Sequence, residues 1–359
     1  MNATMIVKKA LTIIILLISI ISSAVFILFY FFVAPTSNMS VQDDVLSVDS
    51  AAADFDAGDL DKAIFKTEKL VASSNSDVDS LLLLATSYAE KGSVSFAEED
   101  YGQKAIDTAR KVFAIEPENS EAYRIIGYAN EIMGKYDEAR KNYDKSIILD
   151  PKNSQAYSNK GHSYDLQGDI KNALIWYDNA LAVNPSDEHA LLNKSRVLAR
   201  QGASEDAKNM LDILLDTSSN KRFLAEADQI YAFVLMNEKP ADYEGALEAI
   251  IESIAYDSTV PQSYVTLAQI KLHNTLDLAT KNEFNKSLAD INQILAKALL
   301  LNPNQSSAYY LSSEVARLSG DKIGANTLRQ KALDAIPKDI TLGAKEKIDM
   351  KATIQALIK

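Results

Sequence analysis

Two adjacent stretches of the chain repeat one another at a spacing of 34 residues. The first runs from Ser120 as SEAYRIIGYANEIMGKYDEARKNYDKSIILDPKN, the second from Ser154 as SQAYSNKGHSYDLQGDIKNALIWYDNALAVNPSD. Tyr123 corresponds to Tyr157, Gly127 to Gly161, Gly134 to Gly168, Ala139 to Ala173, Tyr143 to Tyr177 and Pro151 to Pro185. A fixed period of this length implies stacked supersecondary units, not a closed globule around one pocket. It points towards a binding surface and away from chemistry.

Inside each unit the spacing is helical. Tyr123, Ile126, Gly127 and Asn130 fall at i, i+3, i+4 and i+7, one face of a first helix. Gly134 stands where that helix should stop in a left-handed residue. Ala139, Tyr143 and Ser146 mark a second helix, which Asp150-Pro151 closes. Ser154, a favourable N-cap type, opens the next unit. Small residues at Gly127 and Ala139 allow close helix approach, and Tyr123 and Tyr143 are expected to fill the space between units.

This pattern resembles the tetratricopeptide repeat (TPR) family. The 120–153 copy keeps Tyr123, Ile126-Gly127, Ala139, Tyr143, Ser146 and Pro151, with Asn130 where the family has tyrosine. The 154–187 copy keeps Tyr157, Gly161, Tyr164, Ala173, Tyr177, Ala180 and Pro185, with Lys160 where the family has leucine. Weaker copies phase from these. One starts near Asp44 with Gly58, Leu60 and Ala63. Another starts near Val78 with Leu81, Leu84-Ala85, Tyr88 and Gly92, its extra residues expected in a long second helix. Others begin near Glu188, residue 227, Val260 (with an insertion around 272–287) and Ser306. The resemblance implies an all-α, right-handed α-solenoid of roughly eight helix pairs over 44–337, with 338–359 as a C-terminal capping helix.

Residues 10–34 contain no charge. As a helix they reach roughly 37 Å, enough to cross a hydrocarbon core of about 30 Å. The alternative is a cleaved secretory leader, for which Ser22-Ser23-Ala24 and Val33-Ala34 are small enough to suit a peptidase. The run exceeds the usual apolar core of a leader, which favours an uncleaved transmembrane helix. A lipid-anchored form at this end would need a cysteine, and the chain has none. Residues 1–9 then form a short cytoplasmic tail, and 35–43 a linker. Lys8 and Lys9 precede the span, whereas Asp43, Asp44 and Asp49 follow it with no Lys or Arg before Lys62. That bias places the N-terminus in the cytoplasm and the repeats outside it.

The formal net charge is −12; removing the two lysines ahead of the span takes it to −14 for the remainder. Such a surface disfavours nucleic acid and anionic lipid headgroups, both of which recruit clustered Lys and Arg. The three histidines, His162, His189 and His273, match no metal-ligand spacing, and no P-loop, GxSxG or GxGxxG motif occurs. The reading is of a non-enzymatic chain with no metal, cofactor or catalytic residue.

In the family the first helices line a concave groove. Carried over residue by residue, the groove positions and their neighbours give Arg124, Tyr128, Ser158, Asn159, His162, Asn193, Arg196 and Arg200. The expectation is a membrane-anchored scaffold whose groove binds a protein or peptide, with the arginines clamping an acidic or carboxylate-bearing segment, in assembly or retention of an envelope complex. The alternative is a structural protein acting through homo-oligomerisation. Trp176 is expected to pack on a neighbouring repeat.

Overall fold

The structure, a computed structural model, describes residues 46–73, 77–94, 100–276, 280–339, 342 and 344–358. The expected membrane span at 10–34 lies outside them, as do the tail at 1–9 and the linker at 35–43. Among the described residues no helix is long and apolar enough to cross a membrane. The described residues hold seventeen α-helices, one 3-10 turn and no strand.

The described residues divide into two compact units, one up to residue 73 and one from residue 77 onward. In the first, α1 (Val48–Asp56) and α2 (Leu60–Ser73) form a helix pair. Gly58 turns between them at φ +78°, and Lys66 pairs with Asp54 at 2.6 Å.

The second unit begins with α3 (Val78–Val94), α4 (Tyr101–Val112), α5 (Ser120–Ile132) and α6 (Tyr136–Leu149). It continues through α7 (Ser154–Leu166), α8 (Ile170–Val183), α9 (Glu188–Arg200) and α10 (Ser204–Thr217). Next come α11 (Lys221–Asn237), α12 (Tyr243–Tyr256), α13 (Pro261–Thr275) and α14 (Lys281–Leu301). The last pair is α15 (Ser306–Leu318) and α16 (Lys322–Ala335); a 3-10 turn (Ile336–Lys338) and α17 (Ala344–Ile358) follow. Each odd-numbered helix up to α15 packs most heavily on its even-numbered successor. Consecutive first helices, from α3 to α15, also touch one another, whereas consecutive second helices stand apart. The first helices therefore lie on the inner side of this stack, as in a TPR-like solenoid.

The repeated residues explain the pairing. Gly127 leaves room for the fully buried Tyr143 ring: a Cβ there would meet Tyr143 Cε1 at 2.5 Å. Gly161 stands in the same relation to Tyr177. Tyr143 thus fills its own unit. Tyr123 is the residue that meets a neighbour, with its ring centroid 4.5 Å from that of Phe113 just after α4. Gly134 takes φ +73°, and Lys135 N–H reaches back to Asn130 C=O at 2.8 Å, which closes α5.

Three local expectations change. The caps fall one residue earlier than Ser154: Asn153 accepts from Ala156 N–H at 3.2 Å, and Ser154 Oγ instead donates to Asp187 at 2.6 Å. The added length of the Val78 copy lies partly in its first helix, not its second. α3 has 17 residues and α4 has 12. Gly92 does not take a positive φ, so it does not stop α3. The insertion around 272–287 goes largely into α14, which has 21 residues where α6, α8, α10, α12 and α16 each have 14.

Candidate partner-binding site

All eight residues expected to line a groove lie on α5, α7 and α9, the first helices of three successive pairs. Helical periodicity presents Arg124 and Tyr128 from one face of α5, Ser158 and His162 from α7, and Arg196 and Arg200 from α9. The stack brings these three helices side by side.

Their charges are paired sideways. Arg124 is buried and forks onto Glu121, at 2.9 and 3.0 Å from Nε and 2.5 Å from Nη2. Burial pushes that guanidinium down, but the Glu121 charge and hydrogen bond outweigh it and hold its pKa above the usual range. Tyr128 donates to Glu90 of α3 at 3.3 Å. His162 Nδ1 lies 2.7 Å from Glu131 Oε1, and Tyr143 donates to Glu131 Oε2 at 3.3 Å. Burial lowers the affinity of His162 for a proton. The carboxylate of Glu131, with Asp165 behind it, reverses that and raises its pKa above the ordinary imidazole value. Arg196 donates to Asn193 Oδ1 at 2.7 Å and to Glu226 of α11 at 3.1 Å. Arg200 donates from Nη2 to both oxygens of Asp165, at 2.6 and 2.7 Å, and from Nη1 to Glu346 of α17 at 3.4 Å.

The three arginines are therefore not bare cations awaiting an anion. Glu121, Asp165, Glu226 and Glu346 supply the carboxylates from within. Sequence reasoning missed Asp165 and Glu131 as partners, although they recur exactly one repeat apart. Nothing in the local sequence marks Glu346, 146 residues from Arg200. Ser158 is fully buried with its Oγ unpartnered, and so is positioned as a core residue of α7, whereas Asn159 and Asn193 are half-buried.

Two other expected features resolve locally. Trp176 is half-buried and meets residues of its own repeat: Tyr157 at 6.1 Å between ring centroids and the Lys160 ammonium at 3.7 Å. His189 stands edge-on to Phe223 and His273 stacks on Tyr243. No cluster of His, Cys, Asp and Glu able to hold a metal occurs among the described residues. A cleft of about 380 Å³ lies elsewhere, between the start of α14 and the end of α15, lined by Phe284, Leu318 and Gly320. None of the eight residues borders it.

The family model for the tetratricopeptide repeat matches residues 154–187, and a second TPR repeat model matches 132–168. The matches cover α6, α7 and α8, so of the three helices that present the paired charges only α7 lies within them. Residues 132–187 therefore carry tetratricopeptide repeats. No curated protein matches the chain in sequence. Among solved structures, the TPR stack is similar to the APC/C hetero-tetramer Cut9-Hcn1, with a TM-score of 0.62 and 16% identity. That match covers 90% of this chain and 57% of the other, so this chain spans little more than half the length of that relative. A tetratricopeptide repeat protein from Parabacteroides merdae ATCC 43184 matches with a TM-score of 0.51 and 15% identity, over 77% of this chain and 98% of that one. Yeast Tom70 matches with a TM-score of 0.50 and 19% identity, over 83% and 58% respectively. At these identities the likeness is one of fold.

Proposed function

We propose that this TPR protein is a non-enzymatic scaffold that binds a protein or peptide along its first-helix face. The observation that carries the reading is the row of part-exposed polar side chains across α5, α7 and α9. Arg196 and Arg200 keep 33% and 26% of their side-chain surface open to solvent. A partner segment bearing carboxylates suits them, because guanidinium and carboxylate form two parallel hydrogen bonds. Such a partner exchanges its own carboxylate for Glu226 or Glu346, so the guanidinium remains paired throughout and no bare charge is buried.

The uncharged run at 10–34 supports a membrane anchor, and the basic residues ahead of it support an extracytoplasmic repeat domain. Retention or assembly of a cell-envelope complex follows from that placement. The anchor raises local concentration, and a rigid repeat face lowers the ordering cost of capture. Homo-oligomerisation is the competing role. Its best support is the exposure of Ile148, Ile251, Leu300 and Ile323, but these stand on four different second helices.

Proximity labelling at the native membrane supplies candidate partners, and affinity is then measured with purified components. Arg196→Glu is expected to weaken binding about tenfold at low salt, and less at high salt. Equal affinity for the variant removes the arginine face from the mechanism. Light scattering without partner separates the roles: a scaffold stays monomeric. Protease accessibility of α17 in sealed vesicles reports the topology.

A further inference from the structure

We infer that α17 holds a resident competitor in the partner site: Glu346 occupies Arg200 and is displaced when an acid-bearing partner docks. This rests on the partner class proposed above and adds its regulation.

The C-terminal half of α17 is fixed to the last repeat. Ile354 is fully buried against Ala332 and Ile336, and Leu357 C=O accepts from Arg329 at 3.2 Å. The N-terminal half is held differently. Ile348 is 68% exposed, and Met350 packs on the edge of the same cluster with its Sδ 3.3 Å from Ser306 Oγ, whose proton goes to Asp339. Lys347 Nζ stands at 3.5 Å from Pro337 C=O, the outer limit of a hydrogen bond. The contact that reaches back to the middle of the stack is Glu346 to Arg200.

Arg200 sits between two carboxylates of unequal standing. Asp165 is 8% exposed and accepts two short bonds from one guanidinium nitrogen. The bond that Glu346 accepts from the other nitrogen is long, at 3.4 Å, and 36% of its side chain is exposed. An incoming carboxylate competes with the weaker, more solvated pair. A part-exposed ion pair contributes modestly, so the contact tunes affinity without blocking the face. The closing helix thereby acts as a clasp that a cognate carboxylate can open.

The test uses the full chain and a fluorescent decapeptide carrying four glutamates, with its all-glutamine counterpart as control. Glu346→Gln is expected to bind the acidic peptide about two- to fivefold more tightly than wild type. Arg200→Gln is expected to lose most of that binding. Hydrogen exchange over 344–352 is expected to speed up in both variants and in wild type with peptide bound, while α16 exchange stays unchanged. Equal peptide affinity for wild type and Glu346→Gln overturns the clasp but leaves the scaffold reading standing. Unchanged exchange over 344–352 in Glu346→Gln also overturns it. Failure of the peptide to bind either protein overturns the clasp and the acid-bearing partner class together.

Discussion

The Lys160 ammonium stands 3.7 Å from the centroid of the Trp176 ring and pairs with the Asp144 carboxylate. Its side chain is only 7% exposed. This explains how a lysine sits where the family pattern carries leucine: its stem is buried, one side of the charge meets an aromatic face, and the other meets an acid from the preceding repeat. The ion pair alone recurs one period later, where Lys194, 20% exposed, pairs with Asp178 at 2.6 Å.

Lys160→Leu restores the family residue and removes a buried charge together with its need for a partner. It is expected to leave stability unchanged or to raise it by about 1 kcal/mol. Asp144→Ala strands the ammonium and is expected to cost about 1–2 kcal/mol. Thermal denaturation by circular dichroism ranks the three proteins. A Lys160→Leu variant less stable than Asp144→Ala would contradict this account.

Gly127 and Gly134 separate two reasons for glycine in one repeat. At Gly127 a Cβ collides with Tyr143, whose ring is fully buried and whose hydroxyl is held by Glu131. At Gly134 nothing lies within 4 Å and only the backbone, at φ +73°, resists a side chain. Gly127→Ala is expected to destabilise the stack by about 1–3 kcal/mol. Gly134→Ala is expected to cost about 1 kcal/mol. Denaturant titration orders them, and a Gly127→Ala protein as stable as wild type would remove the close-approach argument.

The helix pairs were legible because one requirement repeats: a glycine under an aromatic, then a left-handed glycine at the helix end. Gly127 with Tyr143, and Gly161 with Tyr177, state that requirement twice, 34 residues apart. The sideways ion pairs were half legible. Glu131 and Asp165 recur at the same period, as do Asp144 and Asp178, yet a single carboxylate does not announce its partner. Arg200 with Glu346 was not legible, since closing that contact depends on how several repeats accumulate along the stack. The helix lengths around Gly92 escaped for a local reason. Glycine permits a left-handed stop without enforcing one.

His162 carries a pH dependence that runs through Glu131. Its folded-state pKa is raised, so the charged imidazole contributes stability fully below the ordinary histidine range, and that contribution is lost as pH rises through the raised value. Glu131→Gln removes the charge that holds the proton. The His162 resonance, followed by NMR titration, is then expected to titrate at lower pH than in wild type. A titration unmoved by the substitution would show that Glu131 does not set it.

Asp228 supplies the sharper test, because its environment is hostile to charge. It is 4% exposed in α11, and its Oδ2 has no hydrogen-bond partner. Burial, with the Glu252 charge adding to it, pushes its pKa up to about 7. An acid raised in this way binds its proton more tightly folded than unfolded. Its stabilising contribution is complete below the ordinary carboxylate range, near pH 4, and fades as pH climbs to about 7. The loss is on the order of 1–3 kcal/mol between pH 5 and pH 8. Asp228→Asn keeps the shape and cannot ionise, so it is expected to match wild type only below about pH 4, to exceed it already at pH 5 and to exceed it by more at pH 8. Because His162 also loses stability as pH rises, the informative quantity is the difference between the two proteins at each pH. A difference that stays constant from pH 5 to pH 8 would mean that Asp228 is ionised throughout, with a partner that its buried oxygen does not show.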